Sequence, residues 1–111
     1  MRNFLDEIIA TVGYGKNYHG LGLKGNNMAL NLVSPLFIKE GIDMADWYVF
    51  AIAVIDDSGK FPEAVNVSMI NRTNKKRLDF YFREDGSFHS VTVMDGPGFP
   101  KRINSIAEAN N

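Results

Sequence analysis

Four short segments rich in apolar residues, all between residues 47 and 95, constrain the fold more than any other feature of the chain. They read "WYVFAIAVID", "AVNVSMIN", "RLDFYFRE" and "FHSVTVMD", and each has the length of one β-strand. The links between them are too short for a crossover helix, so neighbouring strands must run antiparallel. Asp85-Gly86 in the last link favours a tight hairpin turn. The sequence therefore predicts an antiparallel meander over residues 47–95, within a sheet of five to six strands.

Alternation within these segments gives the predicted sheet two different faces. Successive side chains of a strand point to opposite faces, so residues two apart share a face. One face is therefore expected to be apolar and buried, and the other polar and solvated. The residues assigned to the apolar face are Val65, Val67, Met69, Leu78, Phe80 and Phe82.

The N-terminal segment "NFLDEIIATVG" predicts an amphipathic helix, because its apolar residues recur at helical spacing. Such a helix could cover the apolar face of the sheet. We therefore expect an α+β fold with an N-terminal amphipathic helix packed on a mainly antiparallel sheet. The length of 111 residues and an apolar content of 45% predict one domain over residues 1–111. The residues on the apolar face of the helix are Phe4, Leu5, Ile8, Ile9 and Val12.

A glycine-rich stretch, "VGYGKNYHGLGLKGNN", follows this helix between Val12 and Asn27. Alternating apolar residues on both sides of "KGNN" predict a hairpin of Tyr18–Leu23 with Met28–Val33. A helix that starts near Asn27 is the alternative for the second half. Beyond it, "SPLFIKEG" predicts one or two helical turns, with Ser34 as the cap, Pro35 in the first turn and a stop at Gly41.

The glycines do not fit a phosphate-binding loop. Gly20 and Gly25 have the spacing of a Walker loop, but Asn26 and Asn27 stand where Lys and Ser or Thr are required. A dinucleotide fingerprint would need a preceding strand, and here a helix precedes. We interpret the stretch mainly as turns. The residues of this stretch that could contact an anion or a small ligand are Lys16, Tyr18, His19 and Lys24.

Catalytic residues, metal ligands and cofactors are not predicted. Cysteine is absent, which removes thiolate nucleophiles and Cys-based zinc sites. His19 and His89 each lie in an alternating segment typical of a strand. Asp56 and Asp57 resemble a calcium loop only in composition, because the required alternating order is missing. We expect a protein that is not an enzyme.

Two basic segments, "NRTNKKR" and "GPGFPKR", are the strongest candidates for partner binding. In the second segment Phe99 lies between two prolines, so a stiff loop could present an aromatic anchor at little entropic cost. Basic turns close to the strand aromatics Tyr81 and Phe88 also suit single-stranded nucleic acid. The predicted partner-binding residues are Arg72, Lys75, Lys76, Phe99, Lys101 and Arg102.

The overall charge distribution favours a protein partner. The net charge of −1 gives no global attraction to nucleic acid or to anionic membranes. Neither a signal peptide nor a membrane span is predicted, so we expect a cytoplasmic protein. The layout of a helix followed by strands resembles that of bacterial accessory proteins such as secretion chaperones and toxin-immunity proteins, with no shared motif. We expect an inhibitor, immunity or adaptor factor of bacterial or phage type that binds another protein stoichiometrically. A nucleic-acid or small-anion binding module using residues 72–77 and 101–102 is the alternative, a small enzyme ranks third, and a homodimer is compatible with the sequence.

Overall fold

The described part of the chain comprises two α-helices, two short 3₁₀ turns and six β-strands. A computed structural model describes residues 4–12, 15–17, 22–54, 64–95 and 100–109. The helices are α1 (Phe4–Val12) and α2 (Gly22–Glu40), and the 3₁₀ turns are Met44–Asp46 and Ile106–Ala109. The strands are β1 (Gly15–Asn17), β2 (Trp47–Val54), β3 (Val65–Asn71), β4 (Arg77–Phe82), β5 (Phe88–Met94) and β6 (Lys101–Ile103).

The six strands form one sheet in which the spatial order equals the chain order. All five neighbouring pairs are antiparallel. The predicted α+β fold with an antiparallel sheet is therefore confirmed. The tight turn predicted at Asp85-Gly86 joins β4 to β5, where Gly86 has a φ of 89° and Ser87 donates its backbone N–H to the Asp85 carboxylate over 2.9 Å.

The hairpin predicted for Tyr18–Leu23 with Met28–Val33 is wrong where the structure describes it. Residues 18–21 lie outside the described residues, and the rest of the segment belongs to α2. The buried hydrophobic residues of α2 are Ala29, Val33 and Phe37, and Gly25 one turn earlier is buried as well. Residues four apart also share a face of a strand, but that face would then carry the exposed Asn31 and Pro35 between them, so the buried stripe fits a helix. Packing of this stripe into the core against the sheet favours the helix over the predicted hairpin.

Ser34 and Pro35 lie inside α2 and do not start a separate helix, which corrects the second expectation for this segment. Pro35 has no N–H to donate, and an interior proline costs a helix about 3 kcal/mol. The flanking residues Val33 and Phe37 are completely buried, and their burial offsets this cost. Ser34 donates its hydroxyl to the Leu30 carbonyl over 2.6 Å.

The end of α2 agrees with the sequence. Gly41 has a φ of 69°, and its N–H donates to the Ile38 carbonyl over 3.0 Å. The Ile42 N–H donates to the Phe37 carbonyl, also over 3.0 Å. These two bonds form a Schellman motif, which satisfies the last carbonyls of the helix.

One buried cluster joins the helices to one face of the sheet, here called the core face. Phe37 of α2 is central, with ring centroids 6.2 Å from Trp47 and 5.9 Å from Phe80. Ile8 of α1 and Ile106 of the last 3₁₀ turn belong to the same cluster. All six residues assigned to the apolar face from the sequence are buried in it.

The last 3₁₀ turn is attached to α2 through Glu40. The Glu40 carboxylate accepts hydrogen bonds from the Ser105 hydroxyl and from the N–H groups of Ile106 and Ala107. Burial alone would raise the pKa of Glu40, but these hydrogen bonds outweigh it and lower the pKa below its ordinary value. The C-terminal residues are thus held by an ionised carboxylate.

The first residue of α1 contacts the β4–β5 turn. A Cβ atom added to Gly86 would come within 3.1 Å of the Phe4 ring, closer than such contacts normally allow. Gly86 is therefore required twice, once for its positive φ and once for the space that Phe4 occupies.

The free energy of unfolding of two alanine variants should separate these requirements. Gly41→Ala is the control, because its φ is also positive but nothing lies within 4 Å of the added Cβ atom. We expect Gly41→Ala to cost about 1 kcal/mol through backbone strain. Gly86→Ala should cost about 1 kcal/mol more, and this excess should vanish in a Phe4→Ala background. Additive effects of Gly86→Ala and Phe4→Ala in denaturant titrations would contradict the proposed contact.

Candidate interaction surface

The face of the sheet opposite the core face, here called the second face, is not simply solvated. Asn66, Ser68 and Asp79 point to this face, and none is more than 5% exposed. The expectation of a polar and wet face is therefore wrong at its centre. The described helices pack on the other side of the sheet, where Ile8, Val33 and Phe37 belong to the core cluster.

A hydrogen-bonded ion pair occupies the centre of the second face. Arg77 donates from Nε to Asp79 Oδ2 over 3.0 Å and from Nη2 to Asp79 Oδ1 over 3.1 Å. Ser68 donates its hydroxyl to Asp79 Oδ1 and accepts from Arg77 Nη2 over 3.2 Å. Asn66 Nδ2 lies 3.3 Å from Asp79 Oδ1 and 3.2 Å from the Phe80 carbonyl oxygen. Asn66, Ser68, Arg77 and Asp79 together form what we call the polar cluster.

The sheet register produces the polar cluster. Ser68 lies directly opposite Asp79 in the β3–β4 ladder, and Arg77 lies two residues before Asp79 on the same face of β4. A bidentate contact with several accepted hydrogen bonds is the arrangement that makes a buried carboxylate tolerable.

The polar cluster is suited to positioning and not to nucleophilic chemistry. Ser68 is completely buried, and its proton is donated to a carboxylate that is already paired with Arg77. The imidazole of His89 is instead hydrogen-bonded to the neighbouring Ser90, with 2.8 Å between Nδ1 and Oγ. What the cluster does is fix the Arg77 guanidinium in one place.

Two arginines lie over aromatic rings on the second face. Arg77 Cζ is 5.6 Å from the centroid of the Phe50 ring, and Arg72 Cζ is 5.1 Å from that of Tyr48. Both rings are half-buried, and a bulge between Val49 and Ala51 shifts the ladder at Phe50. Bulges commonly redirect a side chain in this way. We call the four residues Tyr48, Phe50, Arg72 and Arg77 the platform.

The two platform arginines differ in what their donors contact. Arg77 gives its donors to Asp79 and Ser68. Arg72 is held through its backbone N–H, which donates to the Asp46 carbonyl over 2.7 Å. Within the described part of the chain, the Arg72 guanidinium has no hydrogen-bond or ion-pair partner. Arg72 is thus oriented by a ring while its donors stay available.

The structure brings the two basic segments to the same end of the sheet. Arg77 lies opposite Met94 at the end of β5, and Lys101 lies opposite the adjacent Val93. Lys76 of the first segment contacts Asp95, the residue directly before the second segment, with 3.8 Å between Nζ and Oδ2. Phe99 lies outside the described residues. The residues of this end, here called the basic end, are Arg72, Lys75, Lys76, Lys101 and Arg102.

The turn that carries the first basic segment is built by asparagine side chains. Asn71 is buried, and its Oδ1 accepts from the N–H groups of Thr73 and Asn74 over 2.8 and 3.0 Å. Asn74 accepts in turn from the Lys76 N–H over 2.9 Å. Lys75 has a φ of 63°, a conformation that side chains other than glycine rarely adopt. These bonds fix the backbone from which Arg72 and Lys75 project.

The residues predicted for ligand contact are only partly described. Tyr18 and His19 lie outside the described residues, and of Lys16 only the strand position is known. Lys24 is exposed at the rim of a groove of about 420 Å³ between α1 and α2, whose apolar lining includes Phe4, Ile8 and Met28. The predicted contact of an anion or small ligand with these residues stays a prediction.

Comparisons of the chain with protein-family models, curated proteins and solved structures found no match. Within the described ranges, no group of three or more His, Asp or Glu residues could hold a metal ion. None of the described helices is long and apolar enough to cross a membrane.

The sequence reasoning missed Tyr48, Phe50 and the polar cluster. Tyr48 and Phe50 belong to an apolar segment that predicts a strand buried on both faces, so the sequence did not indicate that their rings are partly exposed. The available signal was "RLD" in β4, where Arg77 and Asp79 share a face two residues apart in a central strand. Residues two apart in a strand share a face, so opposite charges at that spacing can pair along the strand.

Removal of the Asp79 carboxylate should destabilise the protein strongly. Asp79→Ala would leave the Arg77 charge and the Ser68 and Asn66 side chains without their shared acceptor, and we expect a cost of about 3 kcal/mol in the free energy of unfolding. The control is Asp95→Ala, which removes an exposed carboxylate 3.8 Å from Lys76 and should cost less than about 1 kcal/mol. Similar urea midpoints for the two variants would show that the polar cluster has no special weight.

Proposed function

We propose that the protein acts by stoichiometric binding to another protein, through the platform and the basic end. The observation that carries this proposal is the pair of arginines stacked on half-buried rings of one sheet face. The surface is ordered before a partner arrives, so little side-chain entropy is lost on binding. An inhibitor, immunity or adaptor role in the cytoplasm, without a cofactor, is consistent with such a surface.

The composition of this surface supports a protein partner. Arg, Tyr, Phe and Met are enriched at the centres of protein interfaces, and Arg and Tyr dominate their binding energy. Half-buried Ile70 and Met94 lie on the same face, opposite Tyr48 and Arg77 in their ladders. Apolar contacts therefore flank the charged groups, as in an interface with an apolar centre and a polar rim. Phe99 stays a predicted additional anchor.

The core face has a supporting role in this proposal. We infer that the N-terminal helix α1, together with α2, braces the sheet from the core side and keeps the platform residues in register. Burial of Ile8 in the core cluster supports this role. The platform would then lie on the opposite side from both helices, so partner binding there need not disturb the core.

Single-stranded nucleic acid is the second candidate. Aromatic side chains on a sheet face beside a basic end favour it. Its weakness is geometric, because a guanidinium group already lies over each of the rings of Tyr48 and Phe50. Phe88 packs against Phe82, with centroids 6.1 Å apart, on the core side of the sheet. A protein partner fits these stacked groups better.

A pull-down from lysate of the source organism, with and without nuclease, tests the proposal. We expect a stoichiometric, nuclease-resistant protein partner, whose affinity for the Tyr48→Ala variant falls by about 30-fold, as for interface hot spots. Ile38→Ala is the matched control, because Ile38 is a 75% exposed apolar residue of α2, away from the second face. Melting temperatures of both variants verify that each is folded.

Two results would contradict the proposal. Retention of nuclease-sensitive material alone, lost in a Lys101→Ala/Arg102→Ala variant, would favour nucleic acid. A protein partner that is lost with Ile38→Ala but retained with Tyr48→Ala would place the binding surface on α2.

A further inference from the structure

Some cations of the basic end form ion pairs with carboxylates of this chain, and others do not. Lys76 contacts Asp95, and the adjacent Arg77 contacts Asp79. Arg72, Lys75, Lys101 and Arg102 are exposed and have no ion-pair partner among the residues that the structure describes. Unpaired charges of one sign along the same end of a sheet attract a ligand of the opposite sign.

Arg72 is the cation of this group best arranged for specific recognition. Its guanidinium Cζ lies 5.1 Å from the centroid of the Tyr48 ring. Its backbone N–H donates to the Asp46 carbonyl, and the preceding residue, Asn71, is buried. A guanidinium presents five donors in a planar fork that matches the two oxygens of a carboxylate or phosphate. Since the ring already orients the group, binding an oxyanion needs little further ordering.

The distribution of acidic residues favours a short acidic segment over a long polyanion. The opposite end of β4 leads into the turn with Glu84 and Asp85, both exposed. Exposed Asp46 and Asp95 lie beside Arg72 and Lys76 at the basic end itself. A nucleic-acid strand that followed the sheet would therefore meet carboxylates at both ends of β4. A protein segment with a few Asp or Glu residues can place its charges at the basic end alone.

We propose that Arg72, stacked on Tyr48, binds an Asp or Glu carboxylate in an acidic segment of the protein partner, with Lys75, Lys101 and Arg102 attracting the same segment. The inference rests on the proposed function and names the chemistry of the partner at that site. Arg72 makes the geometrically specific contact, and the surrounding cations act mainly through their field.

Fluorescence anisotropy with short labelled probes tests the inference directly. The probes are an octapeptide of glutamate, an octapeptide of glutamine and an eight-nucleotide oligothymidylate, all at low salt. We expect the glutamate peptide to bind and the glutamine peptide not to bind. Arg72→Lys should weaken glutamate binding by about tenfold although the charge is kept, because lysine cannot form the bidentate contact. Lys75→Ala, the matched control that does remove a charge, should weaken it by less than about threefold.

Variants at Tyr48 separate orientation from general stability. Tyr48→Phe keeps the ring beneath Arg72 and should preserve glutamate affinity, whereas Tyr48→Leu should lower it to the level of Arg72→Lys. Melting temperatures show that each variant is folded.

Three results would overturn the inference. The first is no glutamate binding at millimolar peptide, and the second is equal affinity of wild type and Arg72→Lys. The third is tighter binding of the oligothymidylate with the same dependence on Arg72, which would assign the site to nucleic acid. If the pulled-down protein partner still depends on Tyr48→Ala but not on Arg72→Lys, the inference fails and the proposed function stands. If binding of the partner depends on neither Tyr48 nor Arg72, both the inference and the proposed function fail.

Discussion

The bidentate pair of Arg77 with Asp79 is the interaction on which the second face of the sheet depends. Both residues lie on β4, and Asp79 also accepts from Ser68 on the paired strand β3. A slip of one residue in this ladder would turn both Arg77 and Asp79 into the apolar core and would remove the contacts of Asp79 with Ser68 and Asn66 on β3. The pair therefore specifies the register at the centre of the sheet. The position of Arg77 over Phe50 follows from it, because the same guanidinium donates to Asp79 and Ser68.

The two faces of the sheet have different roles in this account: the core face stabilises the fold, and the second face carries the proposed binding surface. The core face is filled by α2, whose Phe37 packs between Trp47 and Phe80. The second face carries ordered charge and half-buried aromatic rings, which contribute little to a core. If the second face binds a partner as we propose, the core face supplies the rigidity that presents Arg72 and Tyr48 in one geometry.

The sequence predicted local structure correctly where one short-range pattern was present, and it misled where two patterns in one segment predicted different elements. The meander, the Asp85-Gly86 turn and the stop at Gly41 each rest on a short-range pattern, and each is confirmed. The segment 22–33 carried both a two-residue and a four-residue apolar period, and packing of Val33 and Phe37 against the sheet decided for the helix. Burial of Ser68 and Asp79 depends on which residues face each other across β3 and β4, which single strands do not reveal. The basic end was predictable as two segments, but the register that joins them was not.

Side-chain dynamics of the arginines in the free protein test the central claim most directly. The claim is that the polar cluster fixes the platform before any partner binds. NMR relaxation of the arginine Nε–Hε groups should give Arg77 an order parameter of about 0.8, close to that of rigid backbone, while exposed Arg102 should lie below about 0.6. Equal mobility of Arg77 and Arg102 would contradict the claim, because the platform would then be formed only by the partner.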